Sequence, residues 1–115
     1  MTPARDMVIV LDEMIDHIDY VLAKAQNQSA SEFRANRDFR QSAERSLEII
    51  SEASRHLSTE LKDAKPESPW HQVADFGNVL RHSYFAIDAN VVWKIIKESL
   101  PPLRTALQAL RQSIS

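Results

Sequence analysis

Gly77 is the single glycine in this chain of 115 residues, and that scarcity rules out whole classes of fold. Dinucleotide fingerprints and phosphate-gripping loops need several glycines, for turns and for close approach of backbone to ligand. The five prolines, Pro3, Pro66, Pro69, Pro101 and Pro102, fall between the long periodic runs and do not interrupt them. A chain with so few turn residues and such long uninterrupted patterns is most economically folded as helices.

The apolar spacing agrees. Between residues 5 and 26, Val8, Leu11, Ile15, Ile18 and Leu22 recur at steps of three or four, which is one buried helical stripe. A polar connection follows, in which Ser29 three residues before Glu32, or Ser31, can cap the next helix. That second helix is expected to run from about Ser31 to Leu57, burying Phe33, Phe39, Ala43, Leu47, Ile50, Ala53 and Leu57, with Ile49 widening the face. Arg37, Arg40, Glu44, Arg45, Glu48, Glu52 and Arg55 supply its other faces. Two long helices on a short linker pack antiparallel. Residues 58–69 read as an exposed loop. Periodicity resumes from Trp70 to about Phe85, with Val73, Phe76, Leu80 and Tyr84 facing inward. Asp88 caps a fourth helix carrying Val91, Val92, Ile95 and Ile96, which should stop near Ser99–Leu100 ahead of Pro101-Pro102. Pro102 starts a last helix with Leu103, Leu107 and Leu110. The expected fold is all-α, an antiparallel bundle of about five helices forming one domain over residues 1–115.

Composition narrows the chemistry. There are no cysteines, so disulfides, thiolate zinc sites and cysteine nucleophiles are excluded. Fourteen basic and sixteen acidic side chains are scattered along the chain, giving a formal charge of -2 and no broad basic footprint for nucleic acid. A local cleft, or a surface built by two subunits, remains open to RNA. No apolar run is long enough for a membrane span or secretion signal, so the expected location is cytoplasmic. Metal binding has little support: His17 and His56 lie on other helices, and His71 and His82 stand three turns apart.

One polar stripe stands out. His71, Asp75, Asn78 and His82 follow at steps of four, three and four, on a face separate from the apolar one. Such a line offers an imidazole able to transfer protons near neutral pH, beside an amide that can hold a phosphate or ribose oxygen. It is also what any amphipathic helix shows to water. Arg81 precedes His82 and can bind phosphate, pair with a carboxylate or cross a dimer interface. Adjacent helical positions point about 100 degrees apart, so the pair need not act together. By periodicity Tyr84 reads first as a core tyrosine with its hydroxyl at the surface, and second as an acceptor of a phosphoryl-type group at a helix end. Trp70 and Trp93 accompany apolar residues and read as packing anchors.

The segment from Trp70 to Trp93, including Gly77-Asn78-Val79-Leu80-Arg81-His82-Ser83-Tyr84, then Ile87-Asp88 and Val91-Val92-Trp93, resembles the hallmark region of the HepT-like toxins in the HEPN superfamily. Glu52-Ala53 and the ending Leu100-Pro101 with Leu103 extend the likeness. The resemblance implies a helical homodimer, encoded beside an MNT-type nucleotidyltransferase antitoxin in a type VII toxin–antitoxin system. It implies a ribonuclease needing neither metal nor cofactor, in which an arginine and a histidine from each subunit meet at the dimer cleft. His82 is then the motif histidine, Asn78 and Arg81 its neighbours at the site, and Asp75, His71 and Glu52 supporting side chains. Tyr84 is the residue that would receive AMP from the antitoxin. The sequence departs from the pattern at one place: Gly77 occupies the position, five before His82, where the family carries arginine. A noncatalytic dimer that serves as a binding or adaptor partner of a nucleotidyltransferase is the alternative this departure raises.

Overall fold

The computed structural model describes residues 4–81 and 88–114, and every described element is helical. The first helix, α1 (Ala4–Ala25), buries Met7, Leu11, Met14, Ile18, Val21 and Ala25, a four-three alternation suited to a helix that must keep one seam facing its neighbours. Leu11 and Ile18 are where the sequence places them, whereas Val8, Ile15 and Leu22 are only half-buried. α1 packs against two helices, α3 (Arg37–Ser54) and α7 (Leu100–Ser113), and the half-buried positions flank its buried seam.

The expected long second helix is divided. A short α2 (Ala30–Ala35) ends at Asn36, which also starts α3, its side-chain oxygen accepting from the Phe39 N–H at 3.0 Å. Asparagine competes with the helical backbone for hydrogen bonds and favours caps, which is why continuous apolar spacing did not give a continuous helix. Of the two candidate caps, Ser29 is the one used: its hydroxyl accepts from the Glu32 N–H at 3.2 Å and the Glu32 carboxylate accepts from the Ser29 N–H at 3.0 Å. The break seats Phe33 at full burial, edge-on to Phe39 with ring centroids 5.4 Å apart, and 5.0 Å from the Trp93 ring. All seven apolar positions expected of this run, Phe33 to Leu57, are buried.

Residues 58–69 are not simply a loop. They contain α4 (Thr59–Ala64), capped by the Ser58 hydroxyl on the Leu61 N–H at 3.3 Å and pinned by burial of Leu61. Trp70 opens α5 (Trp70–Arg81), and its indole N–H donates to the carbonyls of Lys62 and Lys65 at the end of α4. Trp70 and Trp93 are thus packing anchors, as their apolar company suggested.

Asp88 caps α6 (Ala89–Lys94), accepting from the Asn90 N–H at 2.9 Å. The stop expected at Ser99–Leu100 does not occur. A π turn over Ile95–Ser99 carries the chain straight into α7, with the Leu100 N–H reaching back five residues to the Ile95 carbonyl. Pro101 and Pro102 therefore fall in the first turn of α7, the part of a helix that best tolerates proline. Leu103, Leu107 and Leu110 are buried from α7 onto the common core. Arg104 and Arg111 tie it to Asp19 and Asp12 of α1. In the middle of the bundle α3 lies between α1 and α5, the arrangement that positions the site.

Candidate functional site

The site is built on α5. Val73, Phe76 and Leu80 are buried, and that registers the rest of the helix: His71 and Asp75 are exposed and Asn78 is partly covered. The expected polar stripe is therefore present as far as Asn78, where the side-chain amide donates to the Asp75 carboxylate at 2.9 Å. The bond spans three residues, a natural helical pair, and it fixes the orientation of both side chains. His82 and Tyr84 lie outside the described residues, as does the side chain of Arg81.

Asp75 also lines a groove of about 580 Å³ between α5 and the α6–π segment, with Gln72, Phe76, Val91, Lys94 and Ile95 among its walls. Glu52 does not share it. Its carboxylate sits on the α1 side of α3, 3.5 Å from the His56 imidazole, in a separate recess with Glu13, Arg45 and Glu48. Ala53, its partner in the Glu-Ala pair, is buried. His17 is used within the bundle, its ring nitrogen 3.4 Å from the hydroxyl of buried Ser46. Among the described residues no group of three or more His, Asp or Glu side chains is placed to hold a metal ion.

The other flank of α5 meets α3 through small residues. The Ser51 hydroxyl, 2% exposed, donates to the Ala74 carbonyl at 2.8 Å and accepts from the Gly77 N–H at 3.0 Å. Gly77 is buried in this contact. A side chain there would occupy the space that lets the two backbones approach, so glycine is a packing requirement of the α3–α5 seam. Arg55, at the carboxyl cap of α3, reaches across the same seam, its guanidinium donating to the Ala74 carbonyl at 3.0 Å. Sequence spacing had assigned Ser51 no role and Arg55 only a solvent-facing one. Periodicity along one helix carries no information about which residue of another helix it will meet.

The family model for ribonuclease HepT-like proteins matches residues 11–110. The chain belongs to the HepT-like ribonuclease family. Among curated relatives, a "putative RNase" of Methanocaldococcus jannaschii is 32% identical over 104 residues, 90% of this chain and 95% of its own length. The "probable ribonuclease HepT" of Thermococcus cleftensis is 41% identical over 68 residues, 59% of this chain and 62% of its own. No solved structure matches the chain. For this HepT-like protein the family link carries the general association with ribonuclease toxins, and the all-helical bundle agrees with it. No described helix is long and apolar enough to cross a membrane.

Proposed function

We propose that this HepT-like protein is the toxin of a type VII toxin–antitoxin pair and a metal-independent endoribonuclease, acting as a homodimer and neutralised when a partner nucleotidyltransferase transfers AMP to Tyr84. The observation that carries the reading is the family match over residues 11–110, which spans the segment holding Asn78, Arg81, His82 and Tyr84.

The chemistry suits an RNA substrate. RNA supplies its own nucleophile, so the protein has only to move protons and stabilise charge. A base removes the proton of a ribose 2'-hydroxyl, the oxygen attacks the adjacent phosphorus, and the 5'-oxygen leaves with a proton. The products are a 2',3'-cyclic phosphate and a 5'-hydroxyl. His82 is the group able to exchange protons near neutral pH. Arg81 and Asn78 are the candidates for the phosphate oxygens, with Asp75 orienting Asn78.

In chelator-treated buffer the purified protein should cleave RNA but not DNA of the same sequence, and His82→Ala should lower the rate by about 10²–10⁴-fold. Absence of cleavage by the wild type, together with normal growth when it is expressed without its genomic neighbour, would reject the ribonuclease toxin.

Burial of Gly77 favours a second reading, since it leaves no side chain for phosphate at that position. In that reading the protein is a noncatalytic dimer that binds a nucleotidyltransferase. His82→Ala would then leave the biological readout intact, whereas exposed substitutions on the contact face would abolish the complex.

A further inference from the structure

We infer that Arg55, contributed by α3, is a phosphate-contacting residue for RNA lying along α5, an inference that rests on the ribonuclease reading for its ligand. Its guanidinium is held on α5 by the Ala74 carbonyl at 3.0 Å. Ala74 stands four residues before Asn78 and one before Asp75, so the guanidinium lies next to the polar stripe of α5 without being part of that helix. Gly77, three residues beyond Ala74 on the same side, presents no side chain between Arg55 and the helix.

The charge balance around Arg55 distinguishes it from the arginines that are ion-paired. Arg45, Arg104 and Arg111 are each bonded to a carboxylate, of Glu48, Asp19 and Asp12 respectively, which offsets their charge. Arg34 hydrogen-bonds a neutral amide oxygen, that of Asn90, but does so between α2 and α6. Arg55 bonds a neutral carbonyl beside α5, with no carboxylate within ion-pair distance among the described residues. The acid one turn earlier on its own helix, Glu52, lies 3.5 Å from the His56 imidazole and makes no ion pair with Arg55. A guanidinium carries five N–H donors in a planar fork, so one bond to Ala74 orients the group while leaving donors for phosphate oxygens. In a chain of net charge -2, RNA affinity must come from such local cations.

The test uses the full chain and a fluorescent 2'-O-methyl oligoribonucleotide, which retains the phosphates but lacks the attacking hydroxyl. Binding is followed by anisotropy across a salt series. Arg55→Ala should weaken binding about tenfold and flatten the slope of log affinity against log salt by about 0.7, the value for one phosphate contact on a single strand. Arg55→Lys should recover part of the affinity and the slope. Ser51→Ala removes the neighbouring α3–α5 tie without changing charge; it should lower thermal stability and leave the salt slope unchanged. Wild-type affinity and slope in Arg55→Ala would overturn the inference, as would an equal loss of slope in Ser51→Ala. Cleavage of unmodified RNA separates the two readings. A wild type that binds with an Arg55-dependent slope but cleaves nothing rejects the ribonuclease while keeping the contact. A wild type that cleaves, with Arg55→Ala indistinguishable in binding, rejects the contact alone. A wild type that binds no RNA rejects both.

Discussion

The hydroxyl of Ser51 accepts a hydrogen bond from the backbone N–H of Gly77 at 3.0 Å and donates another to the Ala74 carbonyl, joining α3 to the helix that leads into the motif. Gly77 is thus part of the packing between two helices. Gly77→Arg is therefore expected to destabilise the fold by about 1–3 kcal/mol, the usual cost of forcing volume into a close-packed contact. Chemical denaturation would measure it, and a variant as stable as the wild type would show that the seam has room.

Phe33 is the side chain on which α2, α3 and α6 converge, fully buried between the rings of Phe39 and Trp93. Phe33→Ala should cost about 3–5 kcal/mol, combining lost transfer free energy with the cavity left behind. Near-ultraviolet circular dichroism should report the loss of Trp93 packing in the same variant.

The Asn36 cap makes a smaller prediction. Replacing it with Ala removes the acceptor for the Phe39 N–H and should destabilise the protein by about 1 kcal/mol. Asn36→Asp should retain most of that stability, because the carboxylate can accept the same bond and suits a helix N-terminus.

Glu44 gives a pH dependence. Burial pushes its carboxyl above the ordinary value of 4.5, outweighing the opposite pull of Arg40, and Glu48 adds to the rise. A raised folded-state pKa means the native chain binds the proton more tightly than the unfolded chain does. Stability contributed by this group is then fully present below pH 4.5 and is lost as pH climbs through the raised value. Glu44→Gln should consequently be more stable than the wild type at pH 7, with the advantage fading in thermal melts below pH 4.5. An advantage of the same size at both ends would contradict this assignment.

Much of this was legible in the chain itself. The apolar positions of α3, α5 and α7 are buried as their spacing requires, because a three-four pattern has one way to leave water on a helix. The cap at Asp88 was legible too, and that at Ser29 as one of two candidates, since each bond closes within three residues. The misread places share a cause. Asn36 splits a run whose hydrophobic period never breaks, α4 forms where the period is faint, and the π turn lets Pro101 and Pro102 begin a helix without ending another. In each the backbone hydrogen-bonding of a few residues overrules the apolar pattern.

By itself the sequence determined that this protein is a helical bundle and that His71, Asp75 and Asn78 share a polar face of the helix that begins at Trp70. The scarcity of glycine and the periodicity of apolar side chains are properties of the chain that hold before any two helices meet. Tertiary structure alone decided that Gly77 is a packing residue and that Glu52 faces a recess apart from Asp75. It alone brought Arg55 over from α3 to the Ala74 carbonyl, 19 residues away in sequence. The physical reason is that local propensity registers a helix about its own axis, whereas the neighbour it meets is set by how the buried faces of several helices fit together.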